Sequence, residues 1–209
     1  MKRILLLAKH LTPDACQFIL KSLNKEAGEI RIAFCQNAAD LDNQKDYVAI
    51  SREELRSQGF TLEDLDLNQF CQKPIEFSKW LAPFDATFFT GGSSLYLNYL
   101  FHNCRLVQAY KSLVESGQLM HIGFSAGGMI CSPTMKYAKI IDSIDHVPRI
   151  YESGLGLVSF YFAPHVGDKE KYTLKYQEAC RAYPEEQNIL IPLNNQQGIA
   201  VIDEDWEII

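Results

Sequence analysis

Four mostly apolar runs, of which the first is continuous and each is followed by a segment that favours a helix, restrict the fold of this chain most strongly. The runs cover residues 4–7, 30–34, 86–89 and 120–124. A continuous apolar run is typical of a strand that is buried on both faces of a parallel sheet. After the first run, Thr12, Pro13 and Asp14 form a typical helix start. This alternation predicts right-handed βαβ units and an α/β fold with helices on both faces of a mostly parallel sheet.

The length and composition are those of a globular protein with a sizeable core. The chain has 209 residues, of which 47% are hydrophobic and 22% are charged. It contains no internal repeat, no low-complexity segment and no linker rich in proline or glycine. We therefore expect a single domain that covers residues 1–209.

The charge and hydropathy patterns argue against two classes of partner. The formal net charge is −6 and the basic residues form no stripe, so we expect no nucleic-acid partner. The first apolar run stops at Lys9 and His10, which is too short for a signal peptide, and no run approaches the length of a membrane span. We therefore expect no membrane partner.

The cysteines show no metal-binding or disulfide spacing, because no C-x-x-C pair occurs. Dinucleotide and Walker motifs are absent as well, so we expect no metal and no cofactor. Most of the cysteines lie in apolar surroundings, which predicts unpaired thiols and a cytoplasmic location. The six are Cys16, Cys35, Cys71, Cys104, Cys131 and Cys180.

The segment Gly123-Phe124-Ser125-Ala126-Gly127 matches the G-x-S-x-G nucleophile elbow. In such an elbow a sharp strand-to-helix turn presents a serine hydroxyl, and small residues on both sides prevent a clash. The N–H of Ala126 would lie at the helix N-terminus, where it can donate to an oxyanion. The pattern predicts that Ser125 is a nucleophile, and a plain tight turn is the alternative.

A glycine-rich turn, Thr90-Gly91-Gly92, follows the apolar run 86–89. Neighbouring parallel strands end at the same edge of a sheet, so this turn should lie beside the elbow. Glycine lets backbone approach a substrate closely, and we expect Gly91 and Gly92 to supply a second oxyanion donor. The alternative is a phosphate-binding or plain turn.

A serine nucleophile needs a base, and His165 is the strongest candidate among the five histidines. It follows an apolar segment that should end as a strand at the same edge of the sheet. We expect His10 and His102 to lie at the surface and His121 to be structural, because it begins the elbow strand. His146 lies in a polar stretch and remains an alternative.

The group that orients the base is left open by the residues alone. Asp142, Asp145 and Asp168 are acidic candidates near His165 in sequence. Asn195 lies in a turn between two late strands and is the fourth candidate.

Taken in order, segments 90–94, 123–127 and 162–165 resemble the peptidase E (α-aspartyl dipeptidase) and cyanophycinase family of serine peptidases. The resemblance implies a three-layer sandwich that is similar to class I glutamine amidotransferases and flavodoxin-like. It implies that Ser125 is the nucleophile, that His165 is the base, and that Gly91 and Gly92 with Ala126 form the oxyanion region.

The chain departs from that family at three places. The glycine triplet followed by asparagine is here Thr90-Gly91-Gly92-Ser93. In that family an acidic residue orients the catalytic histidine as the third member of the triad, and Asn195 stands at the corresponding position here. An asparagine can orient an imidazole, but it cannot offset the charge of the imidazolium. This predicts slower turnover or the recruitment of a nearby aspartate.

The third departure concerns the arginines that follow the histidine in aspartyl dipeptidases. Here Lys169, Lys171 and Lys175 follow His165, and the first arginine is Arg181. Lysine does not replace the bidentate arginine contact with a carboxylate, so a selective pocket for an acidic P1 residue is not expected.

The sequence therefore predicts a cytoplasmic serine peptidase, monomeric or homodimeric, that cleaves small peptides through an acyl-enzyme. One alternative is an esterase of the α/β-hydrolase type, in which Asp142 or Asp145 would precede His165 in the required order. Another is a catalytically weak homologue that binds a peptide or metabolite, as Asn195 suggests. A glutamine amidotransferase is disfavoured by Ser125 in place of cysteine.

Overall fold

The computed structural model describes residues 1–168, 170–187 and 189–209, without the side chains of Glu186 and Gln187. Its strands are β1 (Arg3–Leu7), β2 (Arg31–Cys35), β3 (Thr61–Leu65), β4 (Ala86–Phe89), β5 (Met120–Phe124), β6 (Tyr161–Ala163), β7 (Leu190–Pro192), β8 (Gly198–Ile202) and β9 (Asp205–Ile208).

The helices of the described residues alternate with the first five strands and then cluster after the elbow. They are α1 (Pro13–Leu23), α2 (Asp46–Ser57), α3 (Pro74–Leu81), α4 (Ser94–Asn103), α5 (Val107–Glu115), α6 (Ala126–Met129), α7 (Ala138–Ile141), α8 (Glu170–Ala182) and α9 (Pro184–Gln187). None of them combines the length and the apolar character that crossing a membrane requires.

The central sheet has seven strands in the order β3-β2-β4-β5-β1-β8-β9. Strands β1 to β5 run parallel to one another, whereas β8 is antiparallel to β1 and β9 is antiparallel to β8. The predicted α/β fold with a mostly parallel sheet is confirmed. The carboxyl ends of β1, β2, β4 and β5 consequently meet at one edge, where parallel sheets of this kind hold their sites.

Strand β1 shows how the sheet separates two apolar cores. Ile4 and Leu6 face the core that is covered by α3 to α8, and Leu5 and Leu7 face the core that is covered by α1 and α2. Successive side chains of a strand point to opposite faces, so a continuous apolar run is needed when both faces are buried. The result is the three-layer sandwich that the resemblance implied.

Strands β6 and β7 form a separate two-stranded parallel sheet. The Leu193 N–H donates to the Ala163 carbonyl at 3.0 Å, and the Val166 N–H donates to the Leu193 carbonyl at 2.9 Å, so the pairing continues beyond both strands. The sequence predicted a closing strand at 189–193 without indicating its partner, because a three-residue strand carries no pattern that identifies a neighbour.

The segment Ser51-Arg52-Glu53-Glu54 has the pattern of a capping box and predicts a helix that starts at Ser51, but this prediction is wrong. The helix begins at Asp46, and the Ser51 hydroxyl donates to the Tyr47 carbonyl one turn earlier at 2.9 Å. A serine inside a helix can bond to the preceding turn as well as cap an N-terminus, so the Ser-x-x-Glu pattern was ambiguous. The Thr12 cap is present, because its hydroxyl accepts from the Ala15 N–H at 3.2 Å.

The expectation of unpaired thiols is wrong for two of the six cysteines. Cys71 and Cys104 form a disulfide across 33 residues, between the 3₁₀ turn Leu67–Phe70 and the end of α4. Two distant cysteines show no pairing signal in a sequence, since the fold alone brings them together. The unpaired-thiol argument for a cytoplasmic location therefore does not apply to this pair.

The burial of both faces of β1 should contribute measurably to the free energy of unfolding. Leu6 is 0% exposed, so Leu6→Ala should lower the free energy of unfolding by about 2–5 kcal/mol through lost burial and a residual cavity. Ile50 on α2 is 55% exposed, so Ile50→Ala should change it by less than about 0.5 kcal/mol. Urea denaturation of both variants measures the difference, and equal losses would contradict the burial of β1.

Candidate active site

Ser125 lies in a strained turn between β5 and α6, with φ 48° and ψ −106°. Two glycines make this turn sterically possible. A Cβ atom on Gly123 would lie 2.4 Å from the Gly127 carbonyl oxygen, and one on Gly127 would lie 2.3 Å from the carbonyl oxygen of Phe89. Both distances are far below van der Waals contact, so the spacing of small residues in the elbow is a packing requirement.

Backbone hydrogen bonds fix the orientation of Ser125. Its N–H donates to the Leu7 carbonyl at the end of β1 at 2.8 Å. Its carbonyl accepts from the N–H groups of Gly128 and Met129, each at 2.9 Å. The backbone of the serine is thus held from both sides, and its hydroxyl lies at the carboxyl edge of the sheet.

His165 and Asn195 form a hydrogen-bonded chain with this serine. The Ser125 Oγ lies 2.9 Å from His165 Nε2, and His165 Nδ1 lies 2.6 Å from Asn195 Oδ1. His165 follows β6 and Asn195 follows β7, so the parallel pairing of these two strands delivers both side chains to one place. His165 also has a positive φ of 69°, a strained backbone of the kind that clusters at functional sites.

The chain of contacts determines which nitrogen of His165 carries the proton. The Asn195 Oδ1 can only accept, so Nδ1–H donates to it. In the neutral ring Nε2 is then an acceptor for the Ser125 hydroxyl. This tautomer is the one in which an imidazole can take a proton from a serine.

The three aspartates that the sequence left open have other hydrogen-bond partners. Asp168 accepts from the backbone N–H of Asn195 and therefore braces that loop. Asp142 accepts from Ser94, and Asp145 accepts from the hydroxyl of Ser143 at 3.0 Å.

The Gly91–Gly92 turn lies directly beside the elbow. A Cβ atom on Gly91 would be 3.6 Å from the Cβ of Ser125, and Gly92 has a φ of 131°, which favours glycine. The Ser93 N–H donates to the Ala38 carbonyl at 2.8 Å and fixes the turn against the loop after β2. Ala126 is the first residue of α6, a position whose N–H has no acceptor within its own helix.

A cavity of about 660 Å³ opens onto Ser125 and His165. It contains lining residues that the sequence did not indicate as site residues: Lys9, Leu41, Asp42, Tyr47, Phe124, Ile141, Ser143 and Tyr172. Lys9 follows β1 and Phe124 ends β5, so the rule that parallel sheets place sites at carboxyl ends was the available signal for these two. No group of three or more His, Cys, Asp or Glu side chains suited to a metal occurs among the described residues.

Comparisons with known proteins match this chain to one family. The model of peptidase family S51 matches residues 6–209, nearly the whole chain. The chain belongs to peptidase family S51. This is the peptidase E family of serine peptidases, as the ordered motifs predicted.

Relatives of this S51 chain carry similar designations. The uncharacterized peptidase PM1590 of Pasteurella multocida is 30% identical over 186 residues, which cover 85% of this chain and 86% of that protein. The uncharacterized peptidase Lmo0363 of Listeria monocytogenes is 26% identical over 163 residues, with 73% and 77% of the two chains covered.

Solved structures agree with the fold. A provisionally assigned peptidase E protein from Listeria monocytogenes EGD-e superimposes with a TM-score of 0.81 at 22% identity, over 100% of this chain and 98% of that one. A peptidase from an acI-B1 Actinobacterium gives 0.70 at 16% identity, with 100% and 87% covered. The fold is therefore that of peptidase E, similar to class I glutamine amidotransferases, and the α/β-hydrolase alternative is wrong.

The basic residues that the sequence places after His165 divide between two cavities in this S51 chain. Lys171 and Lys175 line the cavity at Ser125, whereas Arg181 lines a separate one of about 580 Å³ between α8 and β7. Lys169 lies outside the described residues. Lysines therefore line the cavity that opens onto Ser125.

The remaining histidines have different surroundings. His10 contacts Glu54 at 3.1 Å and His102 contacts the Ser153 carbonyl at 2.9 Å, both at partly exposed positions. His121 is fully buried, and burial lowers its pKa to about 4. His146 is exposed at the edge of the cavity.

Asp142 joins the segment after α7 to the start of α4. Its Oδ2 accepts from both the N–H and the hydroxyl of Ser94 at 2.6 Å. Burial of this carboxyl raises its pKa, and the hydrogen bonds from Ser94 and the charge of Lys175 oppose that rise. The contact caps α4 and holds one wall of the cavity over the Gly91–Gly92 turn.

Removal of this cap should destabilise the S51 chain. Asp142→Ala leaves the buried Ser94 donors without their acceptor, so the free energy of unfolding should fall by about 1–3 kcal/mol. Asp145→Ala removes a carboxylate of the same segment that contacts only the exposed Ser143, and the change should stay below about 0.5 kcal/mol. Urea unfolding compares the variants, and equal stability of the two would show that Asp142 does not hold this wall.

Proposed function

We propose that this chain is a serine peptidase that hydrolyses short peptides, in the manner of a dipeptidase, through an acyl-enzyme on Ser125. The single observation that supports this most directly is the chain of contacts from Ser125 Oγ through His165 to Asn195, at 2.9 Å and 2.6 Å. A nucleophile, a base and a group that orients the base are the minimum set for acyl transfer.

The reaction begins with Ser125. Its Oγ attacks the scissile carbonyl carbon while its proton passes to His165 Nε2. The carbon–nitrogen bond then breaks, and His165 returns the proton to the leaving amine. A water molecule, deprotonated by His165, attacks the resulting ester and releases the acid and the free serine.

Backbone donors carry the charge that develops on the carbonyl oxygen. Ala126 N–H is one donor, at the start of α6, and the adjacent Gly91–Gly92 turn supplies the other. Donors that are already oriented need no rearrangement as the oxyanion forms, which is why such sites contribute strongly to rate.

Asn195 orients His165 but does not stabilise its charged form. Its amide oxygen holds His165 in the tautomer that can accept the serine proton. Because it is neutral, it does not stabilise the imidazolium that forms during attack. The proposal therefore includes slow turnover compared with a Ser-His-Asp arrangement.

The cavity suits a short peptide with free ends. It combines the carboxylate of Asp42, hydrogen-bonded by the Tyr47 hydroxyl, with the ammonium groups of Lys171 and Lys175. Opposite charges in one cavity favour a small zwitterion, and its volume of about 660 Å³ fits a few residues. A neutral P1 residue is expected to be accepted as readily as an acidic one.

A second candidate function is the binding of a peptide or metabolite without turnover, which the neutral Asn195 favours. In that case Ser125 would not be activated. Reaction with an electrophilic probe therefore separates the two candidates.

Labelling by a fluorophosphonate should occur once per chain in the parent protein. Ser125→Ala removes the nucleophile and His165→Ala removes the base, so both should lose the adduct. Intact-mass analysis measures it, with Ser132→Ala as the control for a buried serine outside the site. No adduct in the folded parent, together with no hydrolysis of a small peptide ester, would refute the peptidase.

Asn195→Asp should accelerate the reaction. A carboxylate would keep the hydrogen bond to His165 Nδ1 and stabilise the imidazolium, so labelling should rise by about tenfold or more. Asn195→Ala, which leaves His165 without this orienting oxygen, should lower it by about tenfold or more. The second-order labelling rate at a single pH measures both, and equal rates in all three proteins would exclude Asn195 as the third member.

A further inference from the structure

The elbow helix α6 has only four residues, and the carbonyls of Ala126, Gly128 and Met129 accept from backbone N–H groups just after the helix. The carbonyl of Gly127 faces a side chain instead, because His121 Nε2 lies 3.1 Å from it. His121 lies on β5 beneath the elbow and is fully buried. A buried imidazole thus takes over a hydrogen bond that a longer helix would make with its own backbone.

The contacts of His121 determine its tautomer. The Gly127 carbonyl can only accept, so a neutral imidazole must carry its proton on Nε2, since a bare Nε2 would oppose the oxygen with a second lone pair. Burial lowers the pKa of His121 to about 4, so the ring is neutral at pH 7. Nε2 also lies 3.0 Å from the sulfur of Cys131, which accepts weakly from it in this tautomer, and the Cys131 thiol donates weakly to the same Gly127 carbonyl at 3.8 Å.

The hydrogen bonds on the other side of the ring follow from this tautomer. Nδ1 is an acceptor, so the Tyr110 hydroxyl, 2.7 Å away, donates to it. The oxygen of Tyr110 then accepts from the Thr87 hydroxyl at 2.6 Å. All these side chains are buried, and each hydrogen bond of the series polarises the next in the same direction.

Two peptide units continue this series to the nucleophile. The Gly127 carbonyl that His121 holds shares a peptide plane with the Gly128 N–H, which donates to the Ser125 carbonyl at 2.9 Å. That carbonyl shares its peptide plane with the Ala126 N–H. A donor on one side of a planar peptide fixes the direction of the group on its other side. The imidazole is therefore linked to the oxyanion donor through two rigid units.

We propose that His121 is a positioning residue, which aims the Ala126 N–H at the oxyanion through the Gly127–Gly128 and Ser125–Ala126 peptides. The proposal rests on the proposed function, because it assigns the Ala126 N–H to the oxyanion. His121 itself touches neither the substrate nor the reacting atoms. Its ring also stacks on Phe89 at 5.4 Å, so packing and donation must be separated by experiment.

The test uses two kinds of substitution. His121→Gln keeps an N–H donor, now an amide, near the position of Nε2. His121→Phe keeps an aromatic ring but has no donor. His121→Met is a second donor-free variant, to be used if the phenylalanine variant does not fold. Labelling by a fluorophosphonate, measured well below each melting temperature, should fall by about tenfold or more in the donor-free variants. The rate of His121→Gln should stay within about threefold of the parent, and Tyr110→Phe, which keeps the Nε2–H donor, is the matched control with the same expectation.

If His121 has a purely structural role, all variants should have lower melting temperatures than the parent but the same labelling rate. That result would overturn the proposal. Nitrogen-15 NMR of the parent adds a readout that needs no activity. The Nε2–H tautomer of His121 and a shift of the Ala126 amide signal in the donor-free variants, but not in His121→Gln, are expected. The Nδ1–H tautomer or an unmoved Ala126 signal would refute the positioning role. If the parent is not labelled at all, the proposed function fails, and these NMR signals still decide the role of His121.

Discussion

The close contact between the backbones of β5, α6 and β4 is the constraint on which the site depends. Gly123 and Gly127 leave no room for a Cβ atom, and this lets the chain reverse at Ser125 with a positive φ. Because β5 lies between β4 and β1, the same reversal brings the serine beside the Gly91–Gly92 turn and ties it to the Leu7 carbonyl. Because of this strand order, the strained turn at Ser125 lies next to the carboxyl ends of β1 and β4 as well as that of β5. Three strand ends therefore contribute to the site.

His165 reaches Ser125 through a second contact, which involves the small sheet of β6 and β7. Phe162 of β6 packs so closely on Gly128 that a Cβ atom there would lie 2.7 Å from its ring, and the Phe162 carbonyl accepts from the Tyr137 hydroxyl at 3.0 Å. These contacts place the small sheet against the elbow helix. The distance between Ser125 and His165 is therefore set by the packing of the small sheet on the elbow helix and not by the loop that carries the histidine.

The sequence predicted the parts of this structure that are encoded locally. Mostly apolar runs identified four parallel strands, and the small residues around Ser125 identified the elbow. The parts that depend on distant contacts were not predictable. The disulfide between Cys71 and Cys104, the pairing of β6 with β7 and the capping of α4 by Asp142 each join segments whose proximity exists only in the folded chain. For the same reason the residues could not distinguish Asn195 from the three aspartates.

His121 and His165 both belong to the surroundings of Ser125, but their different burial suits them to different chemical roles. His121 is enclosed among Phe89, Tyr110 and Cys131 and stays neutral, which suits a fixed donor. A base must instead change its charge during the reaction, and His165 is only partly buried at a cavity open to water. With asparagine on Nδ1, no carboxylate in that position stabilises the imidazolium. In the proposed mechanism water in the cavity can solvate the imidazolium, because desolvation disfavours a charged group. In that proposal the neutral Asn195 and the open cavity depend on each other, because a site closed to water around an asparagine would disfavour the charged form of the proposed base.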